Sequence, residues 1–346
     1  MAPYITLRTI SSFIFLSVLA AIIICLPVFE AYDKEIPIEC LNETKTSADY
    51  NVFDFFLNYN ETEEWLTALA TEFPEKCKLQ TLGESSEGRN ITAISIFYNK
   101  PKTIILLSNL RAREWVAMTS AIYIIHELIR NVASYPYADG FNWLIVPITN
   151  PDGYEYSKLH DRKWTRTRSP QGGKNIGVQI DSNFDIKWNG GVSDTIVKPT
   201  GQSYRGPEPF SEPETRAIRE LLKSHTNATL VVDLQAHGPY VLIPWSHTED
   251  TAPNSALARA VANAGRTAIF QESGQEYEVG IVSDYLPFMY GTCLDYCCSL
   301  GIKVCVSLKQ TLFGYVMKTD EIIPFGREAF TAVHAMAIEA DWQMWN

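Results

Sequence analysis

Short, wholly apolar runs constrain this chain most. Thr103–Leu107 carries Ile104, Ile105, Leu106 and Leu107 in succession, and Trp143–Ile148 is interrupted only by Pro147. Neither run alternates with polar residues, so as a strand each must be covered on both faces. Between and after them the pattern changes to helical spacing. Glu63–Phe73, Ala117–Val132, Pro213–Ser224, Ser255–Phe270 and Arg327–Ile338 are expected helices. Ile91–Phe97, Thr229–Ala236, Val241–Ile243 and Ile302–Leu308 are further expected strands. Helices mixed with apolar strands imply an α/β sheet with helices on both faces. Gly83–Gly88 is a turn cluster, and Asn150–Pro209 reads as long and irregular, a length that points to a binding or functional role.

The chain of 346 residues is 46% hydrophobic, enough for one large core or two modest ones. A formal net charge of −11 argues against nucleic acid and anionic membrane surfaces as partners. At the N-terminus, Arg8 precedes an apolar run from Phe13 to Phe29 and small Ala31. This is read as a signal peptide over 1–31, with an uncleaved anchor as the alternative, and implies a secreted, extracellular protein with no membrane attachment after cleavage. Residues 32–49 form a short polar lead. Sequons at Asn42, Asn60, Asn90 and Asn227 suit an exported glycoprotein. Removing Cys25 with the signal leaves Cys40, Cys77, Cys293, Cys297, Cys298 and Cys305, an even number that suits disulfides, with the pairing left open.

Several segments together resemble the secreted zinc carboxypeptidases of the A/B type. They are GESSEGRNI (Gly83–Ile91), AREW (Ala112–Trp115), NPDGY (Asn150–Tyr154), RKWTRTRS (Arg162–Ser169), YRGPEPFSEPE (Tyr204–Glu214) and EIIP (Glu321–Pro324). The resemblance covers nearly everything from Tyr50 onward. It implies a single α/β/α domain over 50–346, with a mixed, twisted sheet of about eight strands covered by helices on both faces. The lead before it is too short for the inhibitory pro-domain that many such proteins carry. Fold alone does not imply activity.

The family's chemistry needs a zinc held by three lone-pair donors beside an open water position. In this chain the resemblance puts Arg111, Glu114 and Gln235 at the ligand positions. Arginine stays protonated and has no lone pair to give, and a neutral amide oxygen is a poor zinc ligand. Strand alternation places Val231, Asp233, Gln235 and His237 on one face, with His237 about 6–7 Å beyond Gln235 as a substitute ligand to consider. The general-base position holds Lys309, already protonated unless burial near Arg111 lowers its pKa. The transition-state arginine position holds Thr165. The carboxylate clamp is replaced by Asp181 and Ser182, which would repel a peptide C-terminus. Arg113 and Arg162 match groove positions, Tyr285 or Tyr290 matches the capping tyrosine, and Leu294 matches the base of the specificity pocket, making it apolar. HELIR, His126–Arg130, superficially resembles H-E-x-x-H but ends in arginine inside an expected helix.

Charge logic ties the replacements together. Arg111 and Lys309 supply two positive charges where a dication would sit, and an i,i+3 pair between Arg111 and Glu114 would spare a buried carboxylate from standing alone. The expected protein is a monomeric, metal-free pseudoenzyme that binds a peptide or protein partner in the former cleft. One alternative is an active zinc enzyme with relocated ligands such as Glu114 and His237, removing C-terminal apolar residues. Another is a non-metal hydrolase using Lys309 with Ser307.

Overall fold

The computed structural model describes residues 45–311 and 315–345. The proposed signal at 1–31, Cys40 and Asn42 lie outside them. The sheet has eight strands: β1 (Cys77–Glu84), β2 (Asn90–Ile96), β3 (Thr103–Ser108), β4 (Asn142–Val146), β5 (Leu230–Gly238), β6 (Tyr240–Ile243), β7 (Glu278–Ile281) and β8 (Cys305–Thr311). Their order is β1-β2-β4-β3-β5-β8-β6-β7. β4, β3, β5 and β8 run parallel to one another, while β2 pairs antiparallel with β4 and β6 pairs antiparallel with β8, so the sheet is mixed.

The helices lie on both faces because the central strands are apolar on both. In β3, Ile104 and Leu106 enter one core while Ile105 and Leu107 enter the other. The first core is closed by α1 (Tyr59–Glu72), α2 (Trp115–Arg130) and two later helices, Ser255–Ser273 and Ile322–Trp345. The second is closed by Pro213–Ser224 and Cys293–Ser299. α1 starts where Asn58 forms a capping box: its Oδ1 accepts from the Glu61 N–H at 2.9 Å and its own N–H donates to Glu61 Oε2 at 2.7 Å. Its inward stripe is Trp65, Leu66 and Leu69, each buried.

Several sequence expectations need correction. Residues of the expected turn at Gly83–Gly88 partly belong to β1, an edge strand of mostly exposed side chains that lacks an apolar rhythm. The stretch Asn150–Pro209 contains a regular helix, Pro151–Leu159, started by Asn150 whose Oδ1 accepts from the Gly153 N–H at 3.0 Å. The last helix runs over Ile322–Trp345, well past both ends of Arg327–Ile338. The strand expected at Ile302–Leu308 begins at Cys305 and runs to Thr311.

Candidate functional site

The central parallel strands end at one place and carry the site. After β3 the chain turns at Asn109, whose φ is 56°. Asn109 Nδ2 donates to the carbonyls of Ala112 and Glu114, both at 3.3 Å, and so shapes the loop bearing Arg111. Glu114 is the N-cap residue of α2. In the paired β5 and β8, Gln235 stands opposite Lys309 and Asp233 opposite Ser307. Asp181 arrives from the one-turn helix Ile180–Ser182.

These side chains form one hydrogen-bonded network. Arg111 Nη1 donates to Gln235 Oε1 at 2.6 Å, and Nη2 donates to Asp181 Oδ2 at 2.6 Å. Glu114 is a looser ion-pair partner of the same guanidinium at 3.5 Å. Lys309 Nζ also donates to Gln235 Oε1. The Gln235 amide N–H groups reach Asp233 Oδ2 and Asp181 Oδ2. Asp181 Oδ1 accepts the Cys293 N–H at 3.0 Å. Glu114, Asp181, Asp233, Gln235 and Lys309 are all buried.

Burial shapes the protonation of the group. Burial, with Asp181 nearby, pushes the Asp233 carboxyl up to about 8. Burial and the Arg111 charge lower Lys309 to about 8, still above neutrality. Burial alone would lower Arg111, but Asp181, Glu114 and Asp233 around it raise it instead. Burial thus favours the protonated form of Asp233 beside the Arg111 and Lys309 cations. Among the described residues, three buried oxygen atoms of this group, Glu114 Oε2, Asp233 Oδ1 and Ser307 Oγ, have no hydrogen-bond partner.

The donor set does not fit a zinc ion. Arg111 offers only N–H donors. The one usable lone-pair group on Gln235, its Oε1, already receives both Arg111 and Lys309. A dication beside Glu114 would meet a guanidinium and an ammonium. His237 does not repair this. Its φ is 71°, and the β5–β8 register shifts between Ala236 and Gly238, so the alternation expected from sequence breaks there and the ring is exposed rather than buried beside Gln235. The ring instead lies 5.4 Å from that of Tyr315.

The remaining predicted positions are dispersed around this centre. Thr165 is buried and donates to Gln179 Oε1 at 3.0 Å. Ser182 follows Asp181 and is half-buried. Arg113 and Arg162 are neighbours, with Arg162 Nη1 donating to the Arg113 carbonyl at 2.7 Å. Leu294 is buried in the second core. Tyr285 stacks on Tyr240 at 5.4 Å. Tyr290 lies against Gly190, where an added Cβ would meet its ring at 2.1 Å. His126 pairs with its neighbour Glu127 at 2.9 Å on the covering helix. Asp233 was placed beside Gln235 by strand alternation, yet the residues alone gave no sign that it would share a proton-rich buried network.

Cys297 and Cys305 form a disulfide, and Cys77, Cys293 and Cys298 are free thiols. Asn60, Asn90 and Asn227 are exposed. Among the described residues no helix is long and apolar enough to cross a membrane.

The model of the zinc carboxypeptidase family matches residues 62–332. Carboxypeptidase B of Astacus astacus is 30% identical over 291 residues, covering 81% of this chain and 95% of that protein. An inactive metallocarboxypeptidase, ecm14, of Talaromyces stipitatus is 28% identical over 319 residues, covering 81% of this chain and 54% of that protein. Among solved structures, carboxypeptidase A from Helicoverpa armigera superposes with a TM-score of 0.79 at 25% identity, covering 91% of this chain and 81% of that one. The eight-stranded mixed sheet with helices on both faces is the fold of that structure, and this chain belongs to the zinc carboxypeptidase family.

Proposed function

We propose that this chain is a secreted carboxypeptidase-fold pseudoenzyme, metal-free and without peptidase activity, that binds a peptide or protein in the former substrate cleft. One observation carries the reading: Arg111 and Lys309 both donate to Gln235, so the ligand positions are saturated by a self-contained charge network. An activated hydroxide needs a metal or a free base, and Lys309 is neither. Thr165, bonded to Gln179, offers no guanidinium to an oxyanion. A relative described as an inactive metallocarboxypeptidase supports the idea that this fold persists without the reaction. A leader over 1–31, glycans at Asn42, Asn60, Asn90 and Asn227, and a monomeric domain from about residue 50 belong to the same proposal.

Lys309 lowered to about 8, near an unpartnered Ser307 hydroxyl, favours a metal-free hydrolase as a second reading. It is the weaker one, because the lysine is mostly protonated at neutral pH and its N–H is committed to Gln235.

The test is metal analysis of purified protein together with hydrolysis of peptides bearing apolar C-termini, with and without chelator. Substoichiometric zinc and no cleavage are expected. Stoichiometric zinc with chelator-sensitive cleavage would overturn the proposal, and chelator-insensitive cleavage abolished by Lys309→Met would favour the second reading.

A further inference from the structure

Lys309 and Gln235 stand directly opposite one another in the parallel strands β8 and β5, so their side chains share one face of the sheet. The Lys309 amine is in contact with the Gln235 carboxamide, 74 positions away in the chain. Both residues are buried, at 5% and 3% exposure. The carboxamide is held at each end. Arg111 Nη1 donates to its Oε1 at 2.6 Å. Its Nε2 donates to Asp233 Oδ2 and, at 3.3 Å, to Asp181 Oδ2. The other Asp233 oxygen, Oδ1, has no hydrogen-bond partner among the described residues. An amine, a carbonyl whose oxygen carries a guanidinium, and a carboxyl group against the amide nitrogen are the parts that acyl transfer needs. Charge pairing alone is met by Arg111 with Asp181 and Glu114, and it does not require an amine set against an amide.

We infer that Lys309 and Gln235 join in an internal isopeptide bond between β8 and β5, with Arg111 and Asp233 as the groups that promote it. The inference rests on the metal-free reading of the pocket, since an ion at the ligand positions would take the Gln235 oxygen from both cations. In the step, the Lys309 Nζ lone pair attacks Gln235 Cδ and a C–N bond forms. The electron pair of the C=O bond moves onto Oε1, where Arg111 Nη1 already donates, as an oxyanion requires. The Asp233 carboxyl takes a proton from Nζ and passes one to Nε2. The Cδ–Nε2 bond then breaks as the carbonyl re-forms, and ammonia leaves. Amine plus primary amide gives secondary amide plus ammonia, with no oxidant, metal or water consumed. Burial disfavours charge on the amine and on the acid: it draws Lys309 toward the neutral amine and keeps the proton on Asp233. A reaction that runs once per molecule needs only the minor neutral fraction of Lys309. Exclusion of water protects the carboxamide from competing hydrolysis. The product ties together two strands at the centre of the site and closes a loop that contains β6 and β7. The ion-pair network described above is the state before the step, and the titration of Lys309 belongs to that state.

The experiment is mass spectrometry of the purified protein, after enzymatic removal of any glycans and reduction of disulfides. Its intact mass should fall short of the mass of its sequence by one ammonia molecule. Digestion should yield one branched peptide in which the β5 segment is joined to the β8 segment through Gln235 Cδ and Lys309 Nζ. The Lys309→Arg variant keeps a cation but carries no attacking amine, and it should show the full mass and two separate peptides. Asp233→Asn, which removes the proton carrier, should leave most molecules unlinked. The full mass and two separate peptides from the unaltered protein would overturn the inference. An ammonia deficit that persists in Lys309→Arg would also overturn it, by placing the loss elsewhere in the chain. Metal analysis of the same sample keeps two failures apart: an unlinked protein without zinc sinks the bond alone, whereas an unlinked protein with stoichiometric zinc sinks the metal-free reading as well. Should the variants fail to fold, the branched peptide from the unaltered protein decides alone.

Discussion

Arg111→Ala is the sharpest perturbation of the network. The guanidinium holds Asp181 at 2.6 Å and Glu114 at 3.5 Å, and these carboxylates are 3% and 1% exposed. Removing one member of a buried pair costs about 3–5 kcal/mol, because the charge left behind is desolvated without compensation. The lower end applies here. Asp181 keeps the Cys293 N–H and the Gln235 amide, and Gln235 Oε1 keeps Lys309. A loss of about 3 kcal/mol corresponds to a melting midpoint lower by roughly 4–6 °C for a domain of this size. Urea titration followed by tryptophan fluorescence measures the free energy directly. The double variant Arg111→Ala with Asp181→Asn should recover a large part of the loss, because it removes the principal orphaned charge as well. An unchanged midpoint in Arg111→Ala, or a double variant no better than the single one, would refute the argument that these charges hold one another in place.

Two further outcomes follow from the same structure. Asp233 has a folded pKa raised to about 8, so the folded state binds its proton more tightly than the unfolded chain does, and stability should fall as pH rises from the ordinary aspartate range toward 8. Lys309, lowered to about 8, acts in the opposite sense above that pH, since there the unfolded chain binds the extra proton. Asp233→Asn should flatten the fall below 8 in a pH series of urea midpoints, and parallel curves for the two proteins would contradict this. Replacing Cys297 and Cys305 together by serine opens a link between residues 8 apart in sequence and should lower stability by about 2–3 kcal/mol, measured by the same titration; no change would show that the link constrains the unfolded chain little.

Much of the site was legible because ordered motifs fix register. Arg111, Glu114, Gln235 and Lys309 lie together as the family resemblance implied, and the i,i+3 contact of Arg111 with Glu114 is present. The principal partner of Arg111 was not legible. Asp181 read as a group that repels a peptide end, whereas the fold turns it inward onto the guanidinium. His237 misled because side-chain alternation assumes a regular strand, and nothing in the residue pattern announces a left-handed backbone at that point. β1 and β7 escaped notice for a related reason: edge strands with exposed side chains, or only four residues long, leave no apolar rhythm to read. The helix Pro151–Leu159 hid behind a polar N-cap and an internal glycine that resemble loop composition.

The shared Gln235 oxygen couples the fates of the two cations that donate to it. Two cations from different strands and loops converge on one acceptor. A histidine in place of Arg111 would still face Lys309, one in place of Gln235 would face both cations, and swapping Lys309 alone for an acid would add a carboxyl group beside Glu114 and Asp181. Single substitutions toward a metal-ligating set therefore leave like charges facing one another in a buried pocket. Fitting a dication there would demand simultaneous changes, a barrier of epistasis rather than of architecture.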